Sequence, residues 1–593
     1  MKTDTIDLRV LFYQDIRLLV PLFQRPYVWN QQDQWEPLWD DIRHIAEDLY
    51  HERHRRPHFL GAIVLEQVAT GTGEIEKRLV IDGQQRLTTS QIVLEAFHDL
   101  CKELGSEKAC KALVKLTRND DPMADSPGEV FKLWPTTVDQ ESYQLIMECQ
   151  TPQEVREQIS TKPHLAGQPI VCGYLYFSDA IREWVSPGSN DMEKRIDKLI
   201  HTLRDHMRFV VIDLQDDDDA QLIFETLNAR GTPLLPTDLV KNFVFHRARL
   251  ERQKIQTLYE KYWKPFDQSD EWWRKQIGRG HAQRARIDLF LQAYLTMKTR
   301  EEVPVTHLYS ACRDHIIKSE MKSETFLKEI NQSAGIYYSF ASFERGTVEQ
   351  RFFKALAVLD VTSVMPVALE LFSRFGNQTK HLYPVLADIE SFLVRRMICG
   401  LNTRGYNRVF VDLLGQIDSI ENLHDRVRKF LLKSDAISTR WPNDSEFRSA
   451  WLSAPIYRSL VRKRVRFLLE TLETSLRHSK TEEIVSKLHV EHLLPQAWQQ
   501  HWPLIGEGEP EDETVNRNNI LHTIGNLTLV TKSLNPALSN ASWSKKRKAI
   551  QEYSALSLNH EVAQQDEWNE QVIEDRGREL FKTARKIWPY PKQ

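Results

Sequence analysis

The sequence predicts a multidomain α+β protein that is mostly helical. Its 593 residues are too many for one hydrophobic core and favour two to four domains. Strand-like and helical patterns alternate in the first quarter, whereas residues 255–430 have an almost wholly helical pattern. The pattern changes near RWPNDSEF, and the last 110 residues again contain strand-like pieces. These observations indicate an N-terminal α/β domain (1–250), a central helical region (251–435) and a C-terminal domain (436–593).

The first elements follow from hydrophobic patterning. Branched apolar residues predict strands at DIRLLVPLF and HFLGAIVLEQV. Between them, Trp35, Trp39 and Ile42 recur at helical spacing in QDQWEPLWDDIRHIAEDLY. A further strand, RLVIDG, is followed by the helix QQRLTTSQIVLEAFHDL. This alternation is typical of a small α/β domain.

Prolines and a glycine predict a loop-rich region over residues 120–170. A helix at 194–207, the strand RFVVIDL and the helix DDAQLIFETLNA come next. Gly231 suits the end of that second helix, and the acidic run 216–219 its start. Thr237 or Asp238 is expected to cap the following helix, PTDLVKNFVFHRARLERQ.

The last part of the chain has two predicted strands, KLHVEHLL and IGNLTLV, and ends in an amphipathic helix, QVIEDRGRELFKTARKIW. The six cysteines are scattered without a CxxC pair, which argues against a zinc ribbon and fits a reducing cytoplasm. No apolar run is long enough to cross a membrane. The net charge of −4 neither indicates nor excludes nucleic-acid binding, which needs only a local basic face.

The strongest chemical pattern is VEHLLPQ followed by IGNLTLVTKSLNPALSN. Glu491 and His492 end a strand, so their side chains point to opposite faces and serve different roles. Asn526 begins the second strand, and Asn535 falls in the turn before a helix. Carboxylate and amide oxygens suit Mg²⁺ or Mn²⁺, and a neutral imidazole can take a proton from water. The alternative to a catalytic site is a purely structural role, in which the histidine is buried and the asparagines stabilise the local fold.

This pattern resembles the HNH, or ββα-metal, nucleases. The resemblance implies that Glu491 and Asn535 are metal ligands, His492 is the general base and Asn526 orients it. The family more often has Asp or His where this chain has Glu491. Zinc-site readings are weaker, because HVEH is one residue short of HxxEH and the PCxxC of zinc deaminases is missing.

Basic runs flank this pattern and predict phosphate contacts. They are KKRK, with Lys545, Lys546, Arg547 and Lys548, and RKRVR, with Arg462 and Arg464. The alternative for either run is a solvated helix face.

The stretch IDGQQRLTT offers a nucleotide site without a P-loop, for which the chain has no GxxxxGK[ST] motif. Gly83 permits a tight turn, and the N–H groups of Gln84, Gln85 and Arg86 would face an anion at a helix start. The Arg86 guanidinium can form bidentate hydrogen bonds to phosphate, and the Asp82 carboxylate can coordinate a metal. Equally, Asp82 could be an N-cap whose capping box Gln85 closes.

Four segments in order resemble the N-terminal domain of the GmrSD family of type IV, modification-dependent restriction enzymes. They are FQRPYVW, FLGAIVL, VIDGQQRLTT and IFETLNARGTPLLPTDLVKN. The resemblance implies a ParB/sulfiredoxin-like fold that binds and hydrolyses a nucleoside triphosphate through DGQQR. It makes Asp82, Gly83, Gln84, Gln85 and Arg86 the nucleotide site, with Gln24 and Arg25 as neighbours. Thr88 and Thr89 either contribute hydroxyls or are packing residues of the helix, and Asn228 and Arg230 are either nucleotide contacts or structural contacts.

The resemblance therefore implies a cytoplasmic, nucleotide-dependent and metal-dependent endonuclease that cuts modified double-stranded phage DNA. The nucleotide is ATP, GTP, UTP or CTP, the modified base is for example hydroxymethylated or glucosylated cytosine, and a homodimer is possible. Three alternatives stay open: a nuclease that senses phosphorothioate backbones, a nucleotide-regulated DNA-binding protein with an inactive HNH remnant, and an NTPase acting on a partner.

Overall fold

A computed structural model describes residues 2–22, 24–53, 56–68, 70, 75–120, 127–186, 191–214, 236–268, 272–278, 283–434, 436–477, 487–504 and 509–591. The chain divides into two compact units. The N-terminal unit is Met1–Ser269 with Glu320–Glu324, and the C-terminal unit is Asp270–Ser319 with Thr325–Gln593.

The N-terminal unit is built around a six-stranded mixed sheet in the order β1-β6-β3-β4-β2-β5. β1 pairs antiparallel with β6, and β3 antiparallel with β4, whereas the other three pairs are parallel. The strands are β1 Lys2–Asp7, β2 Ile16–Leu19, β3 His58–Val68, β4 Glu76–Asp82, β5 Leu133–Trp134 and β6 Met207–Leu214.

Helices cover this sheet, and one large apolar core joins the two. The predicted strands and the helix after DGQQR are confirmed, because their apolar residues face this core. The helices are α1 Leu8–Phe12, α2 Glu36–Tyr50, α3 Gln84–Glu103, α4 Glu107–Thr117, α5 Gln140–Glu148, α6 Pro152–Thr161, α7 Pro169–Val185, α8 Met192–His201, α9 Pro236–Leu250, α10 Ile255–Leu258 and α11 Lys264–Gln268.

The prediction of a loop-rich region at 120–170 was wrong for residues 140–148 and 152–161, which form α5 and α6. Pro152 is the first residue of α6, where proline removes only an N–H that the helix does not use. Pro236 likewise begins α9 as described, so Thr237 and Asp238 lie in its first turn rather than at a cap. The predicted helix DDAQLIFETLNA lies outside the described residues.

Among its described residues, the C-terminal unit is helical apart from two small antiparallel pairs. The strands are β7 Gln276–Ile277, β8 Arg284–Ala285, β9 Leu488–His492 and β10 Leu527–Thr531. The β9–β10 pair confirms the two strands predicted near the end of the chain, whereas the short β7–β8 pair lies in the region predicted to be almost wholly helical. The helices are α12 Arg286–Thr299, α13 Leu308–Lys318, α14 Ser323–Ser339, α15 Val348–Leu359, α16 Met365–Phe375, α17 Thr379–Ile398, α18 Tyr406–Leu414, α19 Leu423–Leu432, α20 Asp444–Ser453, α21 Ile456–Ser459, α22 Arg462–Leu476, α23 Pro510–Ile520, α24 Asn535–Leu538, α25 Trp543–Tyr553, α26 Ser557–Gln564 and α27 Glu570–Ile587.

The β9–β10 pair is surrounded by helices. α22 packs against both strands, α24 packs against β9 and α26 against β10. A second apolar core, which includes Leu493, Leu494 and Trp568, lies beside this pair. None of the described helices combines the length and apolar composition that crossing a bilayer requires.

Candidate functional site

The β9–β10 pair positions Glu491 and His492 at the end of a strand. His492 is the last residue of β9 and pairs with Leu527, while Glu491 pairs with Thr528. Because side chains alternate along a strand, the carboxylate and the imidazole leave β9 on opposite faces. The short helix α24, which begins at Asn535, packs against the same strand.

The His492 imidazole is buried among other aromatic rings. Its Nε2 lies 3.2 Å from Nδ1 of His522, and its centroid lies 4.1 Å from that of the Tyr457 ring. Burial, together with the charges of Lys546, Arg462 and other neighbours, lowers the pKa of His492 to about 3. The imidazole is therefore neutral near neutral pH, which is the form that accepts a proton.

His522 is a site residue that the sequence pattern did not reveal. It lies four residues before Asn526, in the turn that leads to β10, and Tyr457 donates its N–H to the His522 carbonyl over 3.2 Å. Its Nε2 is buried without a hydrogen-bond partner among the described residues. The sequence does contain this histidine shortly before IGN, but its spacing from His492 does not show that the two imidazoles are in contact.

Lys546 holds the backbone of the same strand. Its ammonium donates to the His492 carbonyl over 2.7 Å and lies 3.4 Å from Oε1 of Glu491. Burial lowers the pKa of Lys546 to about 8, and burial also raises the pKa of Glu491, with the lysine charge opposing. Since Lys546 is fully buried, a direct contact of this residue with DNA is not compatible with the structure.

Asn526 lies immediately before β10 and makes four hydrogen bonds. Its Oδ1 accepts from the Leu494 N–H and Trp568 Nε1, and its Nδ2 donates to the carbonyls of Leu494 and Leu521. A carboxamide has no further strong donor or acceptor capacity after four bonds. Asn526 therefore fixes the chain after His492, and its predicted role as the residue that orients the imidazole conflicts with these bonds.

The neighbouring Gly525 allows a helix to approach closely. A Cβ at this position would collide with the carbonyl oxygen of Ile573 in α27. Arg576 of the same helix donates to the carbonyls of Gly525 and Leu527 over 2.6 and 2.8 Å. The letters IGN thus encode the packing of α27 against the start of β10.

Asn535 opens α24 instead of preceding it. Its Oδ1 is buried and has no hydrogen-bond partner in the part of the chain that the structure describes. A buried amide oxygen without a donor is costly unless something else, such as a cation, satisfies it.

The remaining basic candidates are divided between surface and structural positions. Lys545 and Lys548 are exposed on α25. Arg547 is half-buried and pairs with Asp566 over 2.8 Å. Arg464 donates to the carbonyl of Leu359 at the end of α15 over 2.6 Å, where it satisfies the helix end rather than facing solvent.

Arg462 is tied to the site through Tyr457. Its guanidinium lies over the Tyr457 ring and donates to the carbonyl of the same residue. Because that ring contacts His492, Arg462 places positive charge close to the imidazole.

In the N-terminal unit, Gly83 forms the turn between β4 and α3. Its φ is +93°, and a Cβ there would lie 2.5 Å from Cγ2 of Ile63. Gly83 is the N-cap of α3, and no side chain caps this helix. The alternative of an Asp82 cap with a Gln85 capping box is therefore not formed.

The glutamines of DGQQR and FQRPYVW join the two segments. Gln24 donates to the Val80 carbonyl over 2.6 Å, and Gln84 to the Arg25 carbonyl over 2.8 Å. Gln85 accepts from the Val28 N–H over 2.9 Å, in addition to donating to Pro26. The carboxamides are thus used within the fold, while the N–H groups at the start of α3 remain without a side-chain cap.

Three charged residues surround this helix start. Arg86 donates to the Ala62 carbonyl over 2.6 Å and lies 3.8 Å from Asp82. Burial raises the pKa of Asp82, against the effect of Arg86 and Arg25, and burial lowers the pKa of Arg25, against Asp238 and Asp82. The arrangement offers a guanidinium, a carboxylate and a helix start to an anion with its cation.

The two threonines after Arg86 point into the fold. Thr88 is fully buried, and its hydroxyl has no partner among the described residues. Thr89 shares a 2.7 Å hydrogen bond with Tyr27, which Trp35 also contacts through Nε1 over 2.9 Å. Asn228 and Arg230 lie outside the described residues.

A second acidic cluster lies inside the N-terminal unit. The ligand atoms of Glu95, His98 and Asp99 lie within 4.8 Å of one another, which is close enough for a metal. However, Arg118 donates to both oxygens of Glu95 over 2.8 and 2.6 Å, and Tyr174 donates to Asp99 over 2.6 Å. The guanidinium already supplies the positive charge, so these contacts favour a buried ion network.

Comparison of the sequence with models of known protein families identifies the family of this chain. Residues 8–245 match the model of the GmrSD restriction endonuclease, N-terminal domain, and residues 441–583 match that of the GmrSD restriction endonucleases, C-terminal domain. No curated protein matched the chain. The two matches together span most of the chain and include both sites described above. The chain belongs to the GmrSD family of type IV restriction endonucleases and is a nuclease, a hydrolase that acts on DNA.

Proposed function

We propose that the protein is a nucleotide-dependent and divalent-metal-dependent endonuclease that cleaves modified double-stranded DNA in defence against phage. The observation that carries this proposal is the β9–β10 pair, where a buried neutral imidazole, a carboxylate and an unsatisfied amide oxygen lie on adjoining elements. In this proposal the domain at 1–250 binds nucleotide, the helical region at 251–435 links the two domains, and the domain at 436–593 cleaves DNA.

The C-terminal site is proposed to be of the HNH, or ββα-metal, type. β9 and β10 supply the two strands, and α24, which packs against β9, supplies the helix start with Asn535. In the N-terminal unit, the mixed sheet with α3 after β4 would be the ParB/sulfiredoxin-like part.

Glu491 and Asn535 fit a hard divalent cation. Both offer oxygen atoms, which Mg²⁺ and Mn²⁺ prefer, and the Asn535 oxygen lacks a donor. Lys546 contacts only Oε1 of Glu491, over 3.4 Å, and a carboxylate has about four lone-pair sites. A bound Mg²⁺ or Mn²⁺ would stabilise negative charge on the phosphate and the leaving oxygen.

His492 acts as the general base on water, and His522 orients it. Only one proton can lie between two neutral imidazoles whose facing nitrogens are 3.2 Å apart. We assign it to Nε2 of His492, which leaves the Nδ1 lone pair of His492 to act as the base. The His522 proton is then on Nε2, which is the buried atom without a described partner. His522 thus takes the orienting role first assigned to Asn526.

The start of α3 holds the triphosphate of ATP, GTP, UTP or CTP. The N–H groups of Gln84, Gln85 and Arg86 have no side-chain cap and form an anion site of the usual helix-start kind. Arg86 adds a guanidinium, and Asp82 a carboxylate for the nucleotide's cation. Gln24 and Arg25 stabilise this turn from the neighbouring segment.

The experiment that tests this function uses the purified full chain and four DNA substrates: unmodified, hydroxymethylcytosine-containing, glucosylated, and phosphorothioate-containing. Each is incubated with and without nucleoside triphosphate and with and without Mg²⁺ or Mn²⁺. The proposal expects cleavage of a base-modified DNA only when nucleotide and metal are both present. Cleavage of phosphorothioate DNA alone would replace it with the backbone-sensing alternative.

Binding without nicking in every condition would instead establish the DNA-binding alternative with an inactive nuclease site. Size-exclusion chromatography of the same preparation, with and without nucleotide, tests whether the chain forms the homodimer that the resemblance allows.

A further inference from the structure

A small cavity of ≈ 180 Å³ lies beside Arg86 in the N-terminal unit. Its walls come from the segment before α2, from α2 and from β3, and Arg86 contributes from the first turn of α3. Trp29 and Phe59 supply two aromatic surfaces, and Leu38 and Leu60 supply aliphatic surface. Arg86 therefore belongs both to the cavity wall and to the first turn of the helix at whose start a triphosphate is proposed to bind.

The volume suits one ring system and not a whole nucleotide. A cavity of about 150 Å³ holds a benzene-sized ring, whereas complete small-molecule ligands occupy roughly 300–1,000 Å³. A nucleobase would fill this space, and its ribose and phosphates would lie outside it, toward Arg86.

The aromatic wall is suited to stacking. Phe59 is 56% exposed although it lies on β3, the strand that pairs with both β4 and β6. A register shift between Phe59 and Gly61 interrupts the pairing of β3 with β6 at this point. Such bulges redirect side chains near binding sites. Phe59 is a large exposed side chain in a wall that Trp29 also lines, so it offers a ring face for stacking.

Polar groups on the wall can pair with the edge of a base. Gln34 accepts from the Asn30 N–H over 3.0 Å through Oε1, and its amide also has N–H donors. His58 Nε2 lies 3.6 Å from Asp41 Oδ2, so a ring nitrogen and a carboxylate also line the cavity. These are the donor and acceptor types that hydrogen-bond to base edges.

We propose that this cavity is the nucleobase subsite of the nucleotide site, with Trp29 and Phe59 as the stacking residues. The inference rests on the proposed nucleotide binding at α3 and adds where the base lies. A free nucleotide fits better than an extruded base of DNA, because Arg86 belongs to both the cavity and the phosphate site.

Calorimetric titration of the full chain tests the subsite. The probes are ATP, GTP, CTP, UTP and inorganic tripolyphosphate, which has the phosphates but no base. The variants are Phe59→Ala, Trp29→Ala and Trp29→Phe. Val28→Ala is the matched control, because Val28 is 49% exposed on the same segment and only its backbone is used by Gln85.

Each alanine variant is expected to lose about 5- to 150-fold in affinity for the nucleotides that the wild type binds, the range of one base–aromatic stack. Trp29→Phe should lose less, and tripolyphosphate should bind all variants and the control as it binds the wild type. Since Phe59 is largely exposed, its truncation leaves the core intact and separates stacking from folding.

Wild-type nucleotide affinity in both alanine variants would overturn the subsite while leaving the nucleotide function intact. The subsite is also overturned if these variants lose only cleavage of modified DNA, because the cavity would then hold a DNA base. If the wild type binds neither nucleotide nor tripolyphosphate, the proposed nucleotide function itself fails.

Discussion

At the scale of the residue, the chemistry proposed for the C-terminal unit depends on which groups contact His492. The imidazole is held between His522 and Tyr457, and its backbone carbonyl is held by Lys546. His522 and Tyr457 restrict the orientation of the ring, and the Lys546 ammonium fixes the backbone at the end of the strand. Orientation of a catalytic imidazole through its second nitrogen is worth about 10- to 100-fold in comparable sites.

We therefore expect His522→Ala to lower kcat for DNA cleavage by about 10- to 100-fold with little change in KM, because the substrate contacts remain. His522→Asn should recover part of the loss, since its Oδ1 can accept where Nδ1 did. The exposed His560 gives the control, His560→Ala, which should cleave normally. A His522→Ala enzyme with wild-type kcat would show that His492 needs no such partner.

Asn526 is expected to contribute stability more than chemistry. Asn526→Ala would leave buried polar groups of Leu494, Leu521 and Trp568 unpaired and should lower the free energy of unfolding by about 2–4 kcal/mol. Urea denaturation followed by tryptophan fluorescence measures this change. Asn516→Ala, on the exposed side of α23, is the control and should be neutral. Unchanged stability with lost activity would restore the catalytic role first assigned to Asn526.

The sequence located His492 at a strand end and Gly83 in a turn, because both depend on local pattern. It did not reveal that His522 contacts His492 or that Lys546 is buried beneath β9. These contacts join residues 30 and 54 positions apart and depend on how helices pack around the hairpin. A run of charges such as KKRK looks the same whether one member is buried or all are solvated.

At the scale of the element, hydrophobic periodicity predicted most strands and helices. The helices that it missed at 140–148 and 152–161 have prolines nearby, which also occur at the first residue of a helix. Prolines predict loops at 120–170, yet Pro152 and Pro169 each begin a helix. The sequence also left open whether the glutamines of DGQQR contact an anion or cap the helix. Gln84 and Gln85 fix FQRPYVW against the start of α3, which sequence order alone could not show.

The two basic runs should behave differently toward DNA. Lys545 and Lys548 are exposed on α25, so the double change Lys545→Ala with Lys548→Ala should weaken binding and reduce the salt dependence of log K by about 1.8, near 0.9 per lost phosphate contact. Fluorescence anisotropy across a salt series measures this slope.

Arg464→Ala is the matched comparison. It removes hydrogen bonds to the end of α15, which should cost about 1 kcal/mol of stability and leave the salt slope unchanged. A slope that falls with Arg464→Ala and not with the lysine variant would place the DNA surface on α22 instead of α25.

At the scale of the whole molecule, each compact unit contains one family match and one candidate site. Length and pattern predicted a multidomain chain. The unit boundaries depend on long-range contacts that no local pattern encodes, such as the inclusion of Glu320–Glu324 in the first unit. The separation of the sites along the chain predicts that their activities can be removed one at a time.

Arg86→Ala should weaken nucleotide binding by about 10-fold or more, the value of a lost charge-assisted contact of about 1.5–3 kcal/mol. The thermal unfolding midpoint should stay near that of the wild type, since Arg86 is partly exposed. Arg43→Ala, at an arginine of α2 that is partly exposed like Arg86, is the control. Unchanged affinity by calorimetry would remove Arg86 from the nucleotide site.

The most direct test of a cutting site at His492 and a separate nucleotide site at α3 measures both activities of His492→Ala in one reaction. A modified supercoiled plasmid is incubated with the variant, nucleotide and Mg²⁺, and plasmid cleavage and phosphate release are followed together. We predict that cleavage falls by about 10²–10⁴-fold, as expected for a lost general base, while nucleotide hydrolysis continues at the wild-type rate. Cleavage by His492→Ala at the wild-type rate would contradict it.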